Sequence, residues 1–160
     1  MIRFKSLSRD ERGASIIELA LVAPVLASLL IGMVDLSRAY SAKLQLEQAA
    51  QRAIEKVQQY QATSSTYGTL QTEAAQAARD SGFTNVQDSD VTVDFWLECN
   101  GVREASYNDS CDTAAGENQM RFISVDVKGT FTPLFRSKVY PRANADGTFT
   151  LHGIAGMRTQ

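Results

Sequence analysis

The stretch ASIIELALVAPVLASLLIGMV, residues 14–34, decides how the rest of the chain is read. Its one ionisable side chain is Glu18, and residues 19–34 carry no charge. As a helix, a segment of this length rises about 31 Å, close to the hydrocarbon thickness of a bilayer. The apolar core of a secretory signal is shorter, and it would not carry a glutamate in its opening turn. A buried core helix is seldom uncharged for so long, so an ordinary membrane anchor is the plain alternative. Upstream, residues 1–13 read MIRFKSLSRDERG, with Arg3, Lys5, Arg9 and Arg12 against Asp10 and Glu11. Basic residues ahead of a spanning segment stay on the cytoplasmic side. The expected layout is therefore a cytoplasmic segment 1–13, a single transmembrane helix 14–34, and an exported domain 35–160.

Glu18 asks for more than an anchor. An ionisable side chain near a membrane segment is costly and is a functional hypothesis by default. The string Gly13-Ala14-Ser15-Ile16-Ile17-Glu18 resembles the site cut by prepilin peptidases. That resemblance makes Gly13 the last leader residue, Ala14 the first mature residue and Glu18 the glutamate at mature position five. The physics is consistent with it. A new ammonium at Ala14 would sit at the positive end of a helix, which a carboxylate one turn along favours. In an assembly the same carboxylate could neutralise a neighbour's terminal ammonium.

The longer string RGASIIELALVAPVLASLLIGMVDLSRAYSAKLQLEQAAQRA, residues 12–53, resembles TadE-like proteins. These are minor pilins or pseudopilins of tight-adherence (Tad/Flp) pilus systems. The family places Pro six residues after the Glu, and Glu18 and Pro24 keep that spacing. Leu19 departs from the Phe often found after the Glu. RFISVDVKGTFTPLF (121–135) and TFTLHGIAGMR (148–158) are similar to the closing strands of TadE-like domains. Residues 60–118 carry no resemblance. Type IVa pilins and type II secretion pseudopilins, the nearest alternative, usually have Phe after the cleaved Gly and a later Pro. The resemblance implies a prepilin peptidase substrate in the inner membrane, with its C-terminal domain periplasmic. It implies partnership with other pilins or pseudopilins through the N-terminal helix, and with the inner-membrane assembly platform. It implies a role in pilus assembly and so in adherence. A membrane-anchored exported binding domain or enzyme that is never processed is the contrasting reading.

Beyond the membrane segment the helix is expected to run on to about Gln59. Leu36, Tyr40 and Leu44, then Leu46, Ala50, Ala53, Ile54 and Val57, are read as its apolar stripe. Residues 61–68 read as a polar loop. Residues 69–81 read as a second helix stopped at Gly82, with Leu70, Ala74, Ala77 and Ala78 facing the core. After Gly82 the period changes to two. Val91, Val93, Phe95 and Leu97 alternate with polar residues or Trp96. Ile123, Val125 and Val127 do the same, as do Phe149 and Leu151. Three such strands predict an α+β fold, and the resemblance implies that it is pilin-like. A long N-terminal helix, half in membrane and half amphipathic, packs with a second helix on a small antiparallel sheet. Pro24 either kinks the membrane helix or is simply tolerated there.

Residues 99–118 read as a polar excursion, a binding surface or mere decoration. It is bounded by Cys99, near which Cys111 could close a disulfide in an oxidising compartment; free thiols are the cytosolic alternative. The loop-entropy model gives such a bridge roughly 3 kcal/mol. No metal is expected at the pair, because no second Cys/His pair accompanies it. Asn108, Asp109, Asp112 and Asn118 offer oxygens, but not at EF-hand spacing. His152 is the one histidine, without triad or metal signature, and reads as a surface residue. Trp96 reads as an interface residue or as packing. No catalytic residue and no cofactor are therefore expected. The formal net charge of −2 and the absence of a clustered basic surface give no reason to expect nucleic acid.

Overall fold

The computed structural model describes residues 11–59, 66–136 and 141–159. Helix α1 spans Glu11–Gln59 and α2 spans Leu70–Asp80. Strands β1 (Val91–Cys99), β2 (Val102–Arg103), β3 (Gln119–Phe131) and β4 (Phe149–Arg158) form one antiparallel sheet in the order β2-β1-β3-β4. The chain divides into two compact units, residues 1–38 and 39–160, with the break inside α1. The α+β architecture is the one the alternating periods imply. The loop read at 61–68 lies mostly outside the described residues. Its described end is a 3-10 turn, Thr66–Thr69.

In the larger unit, α1 buries Leu46, Ala49, Ala50, Ala53, Ile54 and Val57. These positions recur every three or four residues and form one face. Leu36, Tyr40 and Leu44 do not belong to it: they are 72%, 64% and 39% exposed. The reason is angular. Leu44 precedes Leu46 by two residues, about 200° around a helix, so the two point to opposite sides. The stripe expected from Leu36 to Val57 is thus two stripes, and only the second faces the core.

Helix α2 contributes Leu70, Ala74, Ala75 and Ala78 to the same core. Ala75 replaces Ala77 of the sequence reading as a fully buried position, while Ala77 is partly buried. The alanines keep the helices close to the sheet, and Lys56 of α1 reaches Glu73 of α2 at 2.8 Å. At the end of α2, Gly82 has φ +108°. Its N–H donates to the Arg79 carbonyl and the next N–H, of Phe83, to that of Ala78. This pattern stops a helix and turns the apolar C-terminal neighbour, here Phe83, back onto the core.

The inner face of the sheet presents Val91, Ile123, Val125 and Val127, in register across β1 and β3. At two places that face is glycine. A Cβ on Gly129 would lie 2.9 Å from Leu46 Cδ1 and 2.8 Å from the Phe83 ring. A Cβ on Gly153 would overlap the backbone of α1 itself, at the Leu46 carbonyl carbon and the Glu47 nitrogen. Leu46, fully buried, therefore sits in a notch cut by two glycines on adjacent strands.

The β3–β4 connection ends in a local clasp. The Asp146 carboxylate accepts from the Thr148 hydroxyl at 2.7 Å and the Thr148 N–H at 3.1 Å. The hydroxyl bond first, then the backbone bond, hold the Asp146 carboxyl below its ordinary value of 3.8, with the charge of Arg136 adding a little. A carboxyl lowered on folding stabilises above its unfolded value, and that contribution is lost as pH falls through the native value. Melting temperatures of the wild type and Asp146→Asn are thus expected to differ near neutrality and to converge below pH 3.8. A difference that persists unchanged at low pH would count against the clasp.

Candidate functional site: the stem and the disulfide loop

The membrane-length segment is the part of α1 that nothing covers. Ile16, Leu19, Leu21, Leu29 and Met33 are all 63% exposed or more. This is the one helix among the described residues long and apolar enough to cross a membrane. A core helix would have buried these side chains. An uncovered apolar surface of this extent calls for lipid or protein partners.

Glu18 projects from the second turn of α1 and is exposed. Gly13 and Ala14 belong to the first turn of the helix; their surroundings, like residues 1–10, lie outside what the structure describes. The α-helix continues through Pro24. One turn later, the Ser28 hydroxyl donates to the Val25 carbonyl at 2.7 Å. The apolar run ends at a charged pair, with Arg38 donating to Asp35 at 3.1 Å. Three turns of the same helix thus hold the carboxylate, the proline and a backbone-bonded hydroxyl on an otherwise hydrocarbon surface.

The second region is the segment between β1 and β3. Cys99 and Cys111 are joined, as the exported reading expects. With Leu97 they make a small buried cluster apart from the main core. The two residues Asn100 and Gly101 have φ of 54° and 81°. They turn β1 into β2, so that Cys99 pairs with Val102 and Glu98 with Arg103. Positive φ at both central positions is the hairpin geometry that Asn-Gly favours. The polar excursion read over 99–118 therefore begins as a hairpin. The Asn-Gly dipeptide was the signal that would have found β2.

The rest of the segment is held by its own polar groups. Arg121 donates to the carbonyls of Tyr107 and Asp109, and its guanidinium lies 4.9 Å from the Tyr107 ring centre. Tyr107 meets Phe95 edge-on at 5.3 Å. Asn100 and Asn118 exchange two bonds of 3.0 Å. Asp112 accepts from Ala115 N–H and so caps a short 3-10 turn. Of the four oxygen donors noted in the sequence, Asp112 spends a carboxylate oxygen on this cap, whereas Asp109 and Asn118 take part in the loop's bonds through their backbone atoms. Among the described residues, Cys99, Cys111 and Glu117 have ligand atoms within 4.8 Å of one another, but two of those atoms are disulfide sulfurs. Thiolates are thus absent from that cluster.

The disulfide closes a loop whose polar bonds are mostly exposed, so its removal is expected to loosen the segment. Cys99→Ala/Cys111→Ala is expected to cost roughly 3 kcal/mol by the loop-entropy model. Chemical denaturation of the two forms measures it. An unchanged midpoint would mean that Arg121 and the hairpin hold the loop alone.

The face of the sheet away from the helices carries Trp96 stacked on Phe122, centroids 5.4 Å apart. The Arg103 guanidinium lies over the indole at 5.0 Å and bonds both oxygens of Asp94. Trp96 Nε1 donates to Glu98 at 2.7 Å. Packing accounts for Trp96 without a partner. His152, also exposed on this face, sits 3.0 Å from Asp126.

The family model described as TadE-like protein matches residues 13–54. The match opens at Gly13 and runs through the apolar segment into the buried half of α1. No curated protein and no solved structure matches the chain.

Proposed function

From a stem that matches TadE-like proteins, we propose that this chain is a minor pilin or pseudopilin of a tight-adherence-type pilus. Residues 1–13 are a leader removed after Gly13 by prepilin peptidase. Residues 14–34 then hold the chain in the inner membrane, with residues 35–160 in the periplasm. It works by association with other pilins and the inner-membrane assembly platform, in support of adherence, and not by catalysis. The single observation that carries this reading is the match to residues 13–54, on a helix whose apolar surface is uncovered.

The stem's chemistry fits the role. Cleavage would leave an ammonium at Ala14 with the Glu18 carboxylate one turn away, favourable at the positive end of a helix. Among packed stems, the same carboxylate can meet a neighbour's ammonium in a medium where charge interactions are strong. Removal of the leader takes four basic and two acidic side chains with it, which leaves the mature chain more acidic.

The test is the N-terminal sequence of the protein isolated from membranes of a producing cell. A start at Ala14 is expected. An intact Met1 in the presence of active prepilin peptidase would leave an unprocessed anchored domain and overturn the reading.

A further inference from the structure

Leu134 and Phe135 stand next to each other in the β3–β4 connection and are 56% and 58% exposed. Burying two such side chains would be favourable by several kilocalories, so their joint exposure at one loop is unusual. The charge around them is segregated. From residue 127 to residue 145 the sequence holds Lys128, Arg136, Lys138 and Arg142 and no acidic residue. The chain as a whole has 18 acidic against 16 basic residues, so this stretch runs against the average. Lys128, Arg136 and Arg142 are exposed. The nearest acid in sequence, Asp146, lies within electrostatic reach of Arg136 but is already bonded to Thr148. It offsets one of the three cations among the described residues.

Adjacent bulky apolar residues flanked by cations have a specific chemical fit. The apolar pair suits the acyl boundary of a bilayer, and the cations suit the anionic phosphates just outside it. An acidic protein surface would satisfy the cations but leave Leu134 and Phe135 facing polar atoms. We infer that the loop carrying Leu134, Phe135, Arg136 and Arg142 docks on the surface of an anionic membrane, as a second contact beside the stem. This rests on the reading of the stem as a membrane helix. Tethering by that helix makes the contact intramolecular, so a weak loop affinity is enough. Docked, the loop would hold the exported domain at the bilayer.

The full chain is placed in nanodiscs whose lipids carry brominated acyl chains, which quench tryptophan on contact. Phe135→Trp reports the loop, Leu26→Trp reports the stem, and the unsubstituted chain gives the background from Trp96. In brominated phosphatidylglycerol, Phe135→Trp is expected to be quenched well beyond that background, and less so in brominated phosphatidylcholine. Adding Arg136→Gln is expected to weaken the docked state about fivefold, the factor for one basic residue at an anionic surface. Quenching no greater than background, or equal in both lipids, overturns the inference while a quenched Leu26→Trp leaves the stem reading standing. An unquenched Leu26→Trp overturns both.

Discussion

Gly153→Val is expected to unfold the compact unit of residues 39–160 or to lower its stability by several kilocalories per mole. The argument is steric. A Cβ at this position would overlap the α1 backbone at Leu46 and Glu47, and main-chain atoms inside a helix cannot rotate away. Overpacking a well-filled core typically costs about 1–3 kcal/mol even where side chains can adjust, and here they cannot. Gly129 makes the useful contrast. Its added Cβ would meet side chains only, the Phe83 ring and Leu46 Cδ1, which can shift. Gly129→Ala should therefore cost less than Gly153→Ala, and both less than Gly153→Val. Gly68→Ala, where a Cβ meets nothing within 4 Å, serves as the near-neutral control. Denaturant midpoints of the four variants give the order directly. Equal midpoints for Gly153→Ala and Gly68→Ala would mean that α1 does not pack on β4 as described.

The second large effect is on assembly and not on folding. Glu18→Ala removes a carboxylate from an exposed position on an apolar helix. Nothing in the described core depends on that side chain, so domain stability should be unchanged. Membrane insertion should become easier, because a central or near-terminal acid is costly in hydrocarbon. Processing at Gly13 should continue. Pilus assembly should fall to near background if the carboxylate meets a neighbour's terminal ammonium. Glu18→Asp, which keeps the charge but shortens the reach, should fall between. Normal piliation in Glu18→Ala would remove the charge-pairing account and leave the stem as a hydrophobic anchor only.

Much of the architecture was legible in the sequence, for reasons that differ along the chain. The two helices follow from apolar spacing, an uncharged run and a stop at Gly82, all local properties. The long strands follow from strict alternation in residues such as Ile123, Val125 and Val127. Strand β2 was missed because two residues carry no period. Its signal lay in the turn, Asn100-Gly101, and not in the strand. Leu36, Tyr40 and Leu44 read as one stripe with the buried residues because spacing gives the faces of a helix but not which face is covered. Gly129 and Gly153 were passed over for the same kind of reason. A glycine in a strand looks like a weakness until the helix that crosses it is known. The roles given to the stem residues Gly13, Ala14, Glu18 and Pro24 rest on resemblance alone. The disulfide was legible once export was assumed, whereas the arginine that organises its loop, Arg121, had no sequence signal beyond its charge.

The notch that receives Leu46 has a consequence for the order of events during biosynthesis. Leu46 leaves the ribosome well before Gly153, the glycine that completes its socket. The helix is therefore made while the surface meant to cover Leu46 is still missing. Contacts this distant in sequence form late, since the intervening loop must first be closed. The domain spends its nascent life with an open flank. A chain stopped before residue 149 would keep that flank open permanently, and it should be a ready target for proteolysis.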